Sequence, residues 1–211
     1  ASFTNSGQVC LCGSRVLVDS SIYEAFKERF VKAVGKIVVG DPTEESTTMG
    51  TVISKDHQQK VESYIRLGVE EGGKVLIGGT ASDAPVDNVP SEGAFLRPTV
   101  LEGLSHTSRT ATEEIFGPVI TLHSFDHEDE AVAMANATEY GLAGSVWTND
   151  TQRGHAFGQR LDTGIVWVNT WLNRDLRTPF GGVKQSGVGR EGGAWSLNFF
   201  SELTNICVLQ P

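Results

Sequence analysis

The chain has 211 residues and a formal net charge of −9, with Lys+Arg 17 against Asp+Glu 26, 39% apolar residues and 20% charged ones. Its size allows a substantial core and excludes a disulfide-stapled miniprotein, and its composition excludes a disordered tail. With no apolar run of about eighteen residues a helical membrane span is not expected, and the acidic balance argues against a nucleic-acid or anionic-membrane surface, which needs a basic patch.

Ser21-Ile-Tyr-Glu24 reads as a capping box, and Ile22, Phe26, Phe30 and Val34 recur at helical spacing until Gly40-Asp-Pro42, so a first helix is expected there. A second helix is expected after Ser54, with Val61, Tyr64, Ile65 and Val69 on one face and Gly72-Gly73 as its stop. The strand Lys74-Val-Leu-Ile77 follows, and residues 78–91, rich in Gly, Ser, Asp and Pro, read as a surface loop. Strands are expected to resume at Phe95 and at Val119-Ile-Thr-Leu122. A third helix is expected over Asp126 to Thr138, then a strand Gly144-Ser-Val-Trp147, a helix Thr151 to Arg160 and a buried strand Gly164-Ile-Val-Trp-Val168. Pro179 to Gly193 reads as a glycine-rich loop, and Asn205-Ile-Cys-Val-Leu-Gln210 as a closing strand. This alternation predicts an α/β fold, a mostly parallel sheet with helices on both faces, with ligands at the carboxyl ends of its strands.

Three cysteines leave at least one unpaired, and Cys10 and Cys12 are too close in sequence for an unstrained bridge, which points to a reducing, cytoplasmic compartment. The opening ASFTNSGQVC has the features of no signal peptide, and the absent initiating Met points to a piece of a longer polypeptide. Cys10 and Cys12 are candidates for metal ligands, a redox pair, buried small hydrophobes or a nucleophile. Metal is disfavoured, because His57, His106, His123, His127 and His155 show no paired ligand spacing around them. The small polar stretch Asn5-Ser-Gly-Gln8 favours a nucleophile at Cys10, since it keeps the thiol out of an apolar core. Cys207, in an alternating apolar segment, reads as inert. A Cys/His hydrolase using His155 is a weaker alternative, because the residues around Cys12 lack the flanking signature of such enzymes.

Gly187-Val-Gly-Arg-Glu-Gly192 matches the dinucleotide fingerprint in letters only, since no strand feeds it and too little chain follows for a βαβ unit. Arg174-Asp-Leu-Arg177 before Pro179-Phe-Gly-Gly182 sets two guanidinium groups beside a glycine-opened loop. They suit either a carboxylate clamp or plain surface charge partnered by Asp175.

Three segments, in this order, resemble the aldehyde dehydrogenase superfamily: Phe3-Thr-Asn-Ser-Gly-Gln-Val-Cys10 with Arg15 after it, Glu113-Glu-Ile-Phe-Gly-Pro118, and Pro179 to Glu191. The likeness runs the length of the chain to Phe199-Phe-Ser-Glu-Leu-Thr. Within the superfamily, residues 167–177 look most like the 2-aminomuconic and 2-hydroxymuconic semialdehyde dehydrogenases. The resemblance implies that Cys10 is the nucleophile, that Glu114 and Phe116 bind the nicotinamide end of NAD, with NADP as the other coenzyme, and that Phe180 and Arg174 line the substrate path. It implies a Rossmann-like catalytic domain over residues 1–197 and a C-terminal oligomerisation strand within 198–211, in a cytoplasmic homodimer or homotetramer. It also implies that an N-terminal coenzyme domain, with the general base and the second oxyanion donor, precedes this chain, so that the chain alone is expected to be inactive. The expected reaction is NAD(P)-dependent oxidation of an aldehyde, preferably a carboxylate-bearing semialdehyde, through a cysteine thiohemiacetal and thioester. The competing reading is a non-catalytic oligomerisation and binding module.

Overall fold

The computed structural model describes residues 1–210. Contacts gather in two compact units, residues 1–138 with 159–161, and residues 139–158 with those from 162 onward.

In the first unit the elements run β1 (Arg15–Asp19), α1 (Tyr23–Val34), α2 (Lys55–Glu70), β2 (Lys74–Ile77), β3 (Thr99–Glu102), the single turn α3 (Arg109–Thr112), β4 (Val119–Phe125) and α4 (Glu128–Asn136). The sheet order is β1-β4-β3-β2, with β1, β4 and β3 parallel and β2 antiparallel to β3 at the edge. Alternation along the central strands decides what each face buries. Val100, Ile120 and Leu122 pack with Val34, Phe26 and Phe30 of α1, whereas Leu101 and Val119 pack with Val61 and Ile65 of α2. Both faces are thus covered by helix, as a parallel sheet with apolar strands on both sides requires.

Local signals explain most boundaries. The Ser54 hydroxyl accepts from the His57 N–H to start α2, and Gly72, at φ +93°, ends it. The expected capping box at Ser21 does not form. Asp19 instead accepts from the Ser21 backbone and hydroxyl, capping a short 3₁₀ turn, while Glu24 pairs with Lys27. α1 stops at Val34, with the Gly35 N–H returning to Val31, well before Gly40. The strand expected at Phe95 begins at Thr99, after Pro98, whose ring leaves no N–H for a ladder; Phe95 is buried without being a strand residue. Arg15, on β1, donates to the carbonyls of Met134 and Ala135 at 2.7 Å each and so satisfies the C-terminal end of α4.

The second unit contains β5 (Tyr140–Gly141), β6 (Ala143–Val146), α5 (Thr151–Gly158), β7 (Ile165–Val168), β8 (Val183–Lys184) and α6 (Gly193–Phe200). β6 and β7 are parallel, and β5 and β8 form an antiparallel pair. Helix α5 packs on β6 and β7 through glycines: a Cβ on Gly154 would lie 2.8 Å from Val168, and one on Gly158 2.9 Å from Val166. The closing strand expected over 205–210 pairs with no strand among the described residues. Residues 201–210 form no regular element and expose Leu203, Ile206, Val208 and Leu209. No described helix is long and apolar enough to cross a membrane.

Candidate active site

The thiol loop is built from backbone. Asn5, Ser6 and Gly7 are all left-handed, at φ 51°, 56° and 73°, and this turn closes with the Gln8 N–H on the Asn5 carbonyl at 3.0 Å. A second tight turn follows, the Cys12 N–H donating to Val9 at 2.8 Å, which puts Cys10 on its outer side while Leu11 is buried beneath. The Gln8 side chain ties the loop to the start of α2 by accepting from the Ile53 N–H at 2.9 Å. Cys10 is exposed, and its backbone N–H has no acceptor among the described residues. All three cysteines are free thiols. Burial raises the pKa of the Cys12 thiol, leaving less thiolate there at neutral pH.

Gly7 brings this loop against the second predicted segment. A Cβ there would lie 2.1 Å from the Gly117 carbonyl oxygen, so only glycine permits the two backbones to approach. The segment leading to Gly117 is arranged by contrast between its two acids. Glu113 is fully engaged, accepting from the Arg109 guanidinium at 2.6 and 3.1 Å and from the Tyr64 hydroxyl at 2.7 Å, and these partners lower its pKa. Glu114 is exposed, and its carboxylate has no partner among the described residues. Phe116 is partly exposed and left-handed at φ 58°. Of the two acids, Glu114 is thus the one with an open carboxylate, two residues from the exposed Phe116 ring. Cys10, Glu114 and Phe116 therefore share one unit, with their loops in contact.

Both loops lead into amino ends of neighbouring parallel strands, β1 and β4, which corrects the expectation of a site at carboxyl ends. At the carboxyl ends of β3 and β4 there is a cavity of about 560 Å³ beside the Lys27–Glu102 ion pair, and none of the predicted site residues lines it.

In the second unit, Phe180 and Glu191 exchange two backbone hydrogen bonds of 2.8 Å, closing an arch over residues 180–191. The Arg174 guanidinium lies 3.9 Å above the Phe180 ring and 3.5 Å from the Glu191 carboxylate. Arg177 is taken up by Asp175 in a bidentate pair, so of the two candidate guanidinium groups Arg174 is the one set on the aromatic ring. The glycine repeat Gly187 to Gly192 follows the two-residue antiparallel β8 and precedes α6, outside any βαβ unit. His155 lies exposed on α5. Sequence reading missed His57 and Lys60, which hold the Glu114–Phe116 segment by its carbonyls. Their signal was present in the helical spacing from Val61 and Tyr64, but polar residues on that face did not register as part of an apolar stripe.

The chain belongs to the aldehyde dehydrogenase family, whose profile matches residues 1–206. It is 46% identical over 206 residues to the 2-hydroxymuconic semialdehyde dehydrogenase of Pseudomonas sp. (strain CF600), an alignment covering 98% of this chain and 42% of that protein. It is 47% identical over 208 residues to a 2-aminomuconic 6-semialdehyde dehydrogenase of Pseudomonas sp., covering 99% of this chain and 42% of the relative. Among solved structures, the betaine aldehyde dehydrogenase of Staphylococcus aureus in complex with NAD+ superposes with a TM-score of 0.88 at 38% identity, over 93% of this chain and 38% of that one. The chain thus spans about two-fifths of the length of the relatives it matches.

Proposed function

We propose that the polypeptide carrying this chain oxidises an aldehyde to its acid, with Cys10 as nucleophile and NAD+ as hydride acceptor. The observation that carries this reading is the exposed Cys10, with an unengaged backbone N–H, on a loop seated against Gly117 at the end of the Glu114–Gly117 segment. The Cys10 thiolate adds to the carbonyl carbon, forming a C–S bond while the carbonyl oxygen takes the electron pair. The Cys10 N–H donates to that oxygen and stabilises the charge. NAD+, when bound, supplies the acceptor for the hydride that leaves the same carbon. The Glu114 carboxylate would accept from its ribose hydroxyls, and Phe116 would pack at its nicotinamide end. Collapse of the oxyanion leaves a thioester on Cys10, and water cleaves its C–S bond to give the acid and return the thiol. The base that activates this water, and a second oxyanion donor, belong to the coenzyme domain that the family resemblance places before residue 1.

We assign the substrate as a short semialdehyde bearing a carboxylate. Support comes from the muconic semialdehyde dehydrogenases at 46% and 47% identity and from Arg174, held over Phe180. A guanidinium at the substrate would repel a cationic aldehyde and attract an anionic one. The exposed apolar residues of 201–210 support pairing of this segment with a second copy, in a homodimer or homotetramer, and the free thiols fit a cytoplasmic setting.

The test is replacement of Cys10 in the full-length protein. Cys10→Ala is expected to lower aldehyde-dependent NADH formation by at least about a thousandfold, and Cys12→Ala to leave it within a fewfold. Undiminished turnover in Cys10→Ala defeats the proposal.

A further inference from the structure

Four residues of α2 at helical spacing meet four residues of the segment proposed to carry the coenzyme. The His57 Nε2–H donates to the Phe116 carbonyl at 2.7 Å, and Lys60 Nζ donates to the Glu114 carbonyl at 3.1 Å. Val61 packs where a Cβ on Gly117 would come within 2.5 Å of it, and the Tyr64 hydroxyl donates to Glu113. Positions 57, 60, 61 and 64 fall on one side of a helix, so a single rigid element grips the whole turn. The turn needs gripping at one place above all. Phe116 is an aromatic residue at φ 58°, a conformation that is strained for a residue with a Cβ when nothing compensates it. His57 addresses that residue twice, through its carbonyl and through an edge-on contact between the rings, centroids 6.5 Å apart. His57 is itself fixed, because its backbone N–H is held by the Ser54 side chain at 3.1 Å.

From this geometry we infer that His57 is a positioning residue for coenzyme binding: its hydrogen bond holds Phe116 in the left-handed conformation that presents the Phe116 ring and the Glu114 carboxylate together. The inference rests on the proposed function. A carbonyl only accepts, so Nε2 carries the proton, as the neutral tautomer or the cation. The Lys60 bond to Glu114 acts on the carbonyl two residues earlier and does not replace it.

The test compares His57→Phe, which keeps a ring and removes the donor, with His57→Gln, whose amide restores a donor, in the full-length protein. Two readouts are taken: NAD+ affinity by titration calorimetry with no aldehyde present, and amide hydrogen exchange over residues 113–117 in the coenzyme-free protein. His57→Phe is expected to weaken NAD+ binding and raise the KM for NAD+ by about three- to tenfold, the fold-change of one neutral hydrogen bond. Exchange over 113–117 should quicken, while the KM for the aldehyde and the iodoacetamide labelling of Cys10 stay as in the parent. His57→Gln is expected to return affinity to within about twofold. Parent-like affinity and exchange in His57→Phe overturn the inference, and so does an equal loss in His57→Gln, which would mean ring packing alone. A parent protein that oxidises no aldehyde and binds no NAD+ overturns the proposed function and with it this inference. A parent that does both, beside unaffected variants, overturns only the role of His57.

Discussion

The thiol loop of the first unit and the arginine arch of the second are held by different kinds of bond. Around Cys10 the loop's own shape is set by main chain, through the Gln8 and Cys12 N–H bonds, three consecutive left-handed residues and the approach of Gly7 to Gly117, while the Gln8 and Ser6 side chains tie it to Ile53 and Gly50. In the second unit the backbone bridge between Phe180 and Glu191 fixes the arch, but Arg174 itself is placed only by side chains, a ring beneath it and a carboxylate beside it. A reacting atom has to be preorganised to a fraction of an ångström, and backbone provides that because it has few soft degrees of freedom. A group that selects substrate charge tolerates a longer, adjustable side chain. Changes in the first region should therefore damage folding along with chemistry, and changes in the second should retune specificity while leaving the fold intact.

The most severe break is expected at Gly7→Ala. The new Cβ would meet the Gly117 carbonyl at 2.1 Å in a residue at φ +73°, and backbone cannot rotate aside as a flexible side chain can. A loss of about 3 kcal/mol or more is expected in urea denaturation. Gly72→Ala is the control: it shares a positive φ, +93°, but its Cβ would meet nothing within 4 Å, so about 1 kcal/mol is expected. Equal losses at the two glycines would show that conformation, and not the close approach of the two loops, sets the requirement at Gly7.

Acid should also act on the first unit, through His123 on β4. Burial, with Arg15 and His106 nearby, lowers its pKa from an ordinary 6.5 to about 4, and its Nε2 lies 2.9 Å from the Thr121 hydroxyl. Between those values the unfolded chain binds a proton that the folded one does not. Stability is therefore full above pH 6.5, falls as pH drops towards 4, and levels off below, by about 3 kcal/mol in all. Carboxylates with lowered pKa, such as Glu71 and Glu113, act in the same direction but only as pH falls below about 4.5, where the unfolded chain begins to protonate them. The slope between pH 6.5 and 5 is thus specific to His123 and should flatten in His123→Phe. A slope that persists in that variant would place the acid sensitivity elsewhere.

Elements with strong local signals were legible in the sequence: α2 between Ser54 and Gly72, β2, β7 and the covering of the sheet on both faces. The misses have physical causes. At Ser21 a side chain upstream, Asp19, won the competition for the backbone N–H that the capping box needs. At Phe95 apolar character marked burial and was misread as a strand. β5 and β8 are two residues each and exist only because their partner is distant in sequence, and α6 opens directly on Gly192 and Gly193, which read as loop. Of the candidate site, residue types and order nominate Cys10, Glu114, Phe116, Phe180 and Arg174 through resemblance, whereas His57 and Lys60 contact backbone carbonyls and leave no motif. What each arginine touches needed coordinates: Asp175 lies between them in the chain, and geometry gives it to Arg177 and sets Arg174 on Phe180 beside Glu191.

In the second unit, Arg174→Gln should weaken a carboxylate-bearing semialdehyde by about tenfold in kcat/KM and leave an uncharged aldehyde of the same length nearly unchanged, because one charge-assisted pair is lost. The urea midpoint should move little. Equal losses for both aldehydes would identify Arg174 as part of the scaffold and would remove the distinction between the two regions.

The smallest effect is expected at Glu191→Gln, and it isolates the adjustable part of the arch. The Arg174–Glu191 contact is 3.5 Å long and its carboxylate is 57% exposed, so the pair contributes at most about 0.5 kcal/mol to stability. The backbone bonds between residues 180 and 191 do not involve the carboxylate and should persist in the variant. Glu191 nevertheless occupies one side of the guanidinium that a substrate carboxylate would use, and the two anions compete for it. Removing the internal one should lower the KM for the carboxylated semialdehyde by up to about threefold, with kcat unchanged, since the competition is settled before the thiol reacts. If the KM rises instead, Glu191 orients Arg174 for substrate and does not compete with it. The arch would then be preorganised in the same sense as the thiol loop, by a side chain in place of main chain.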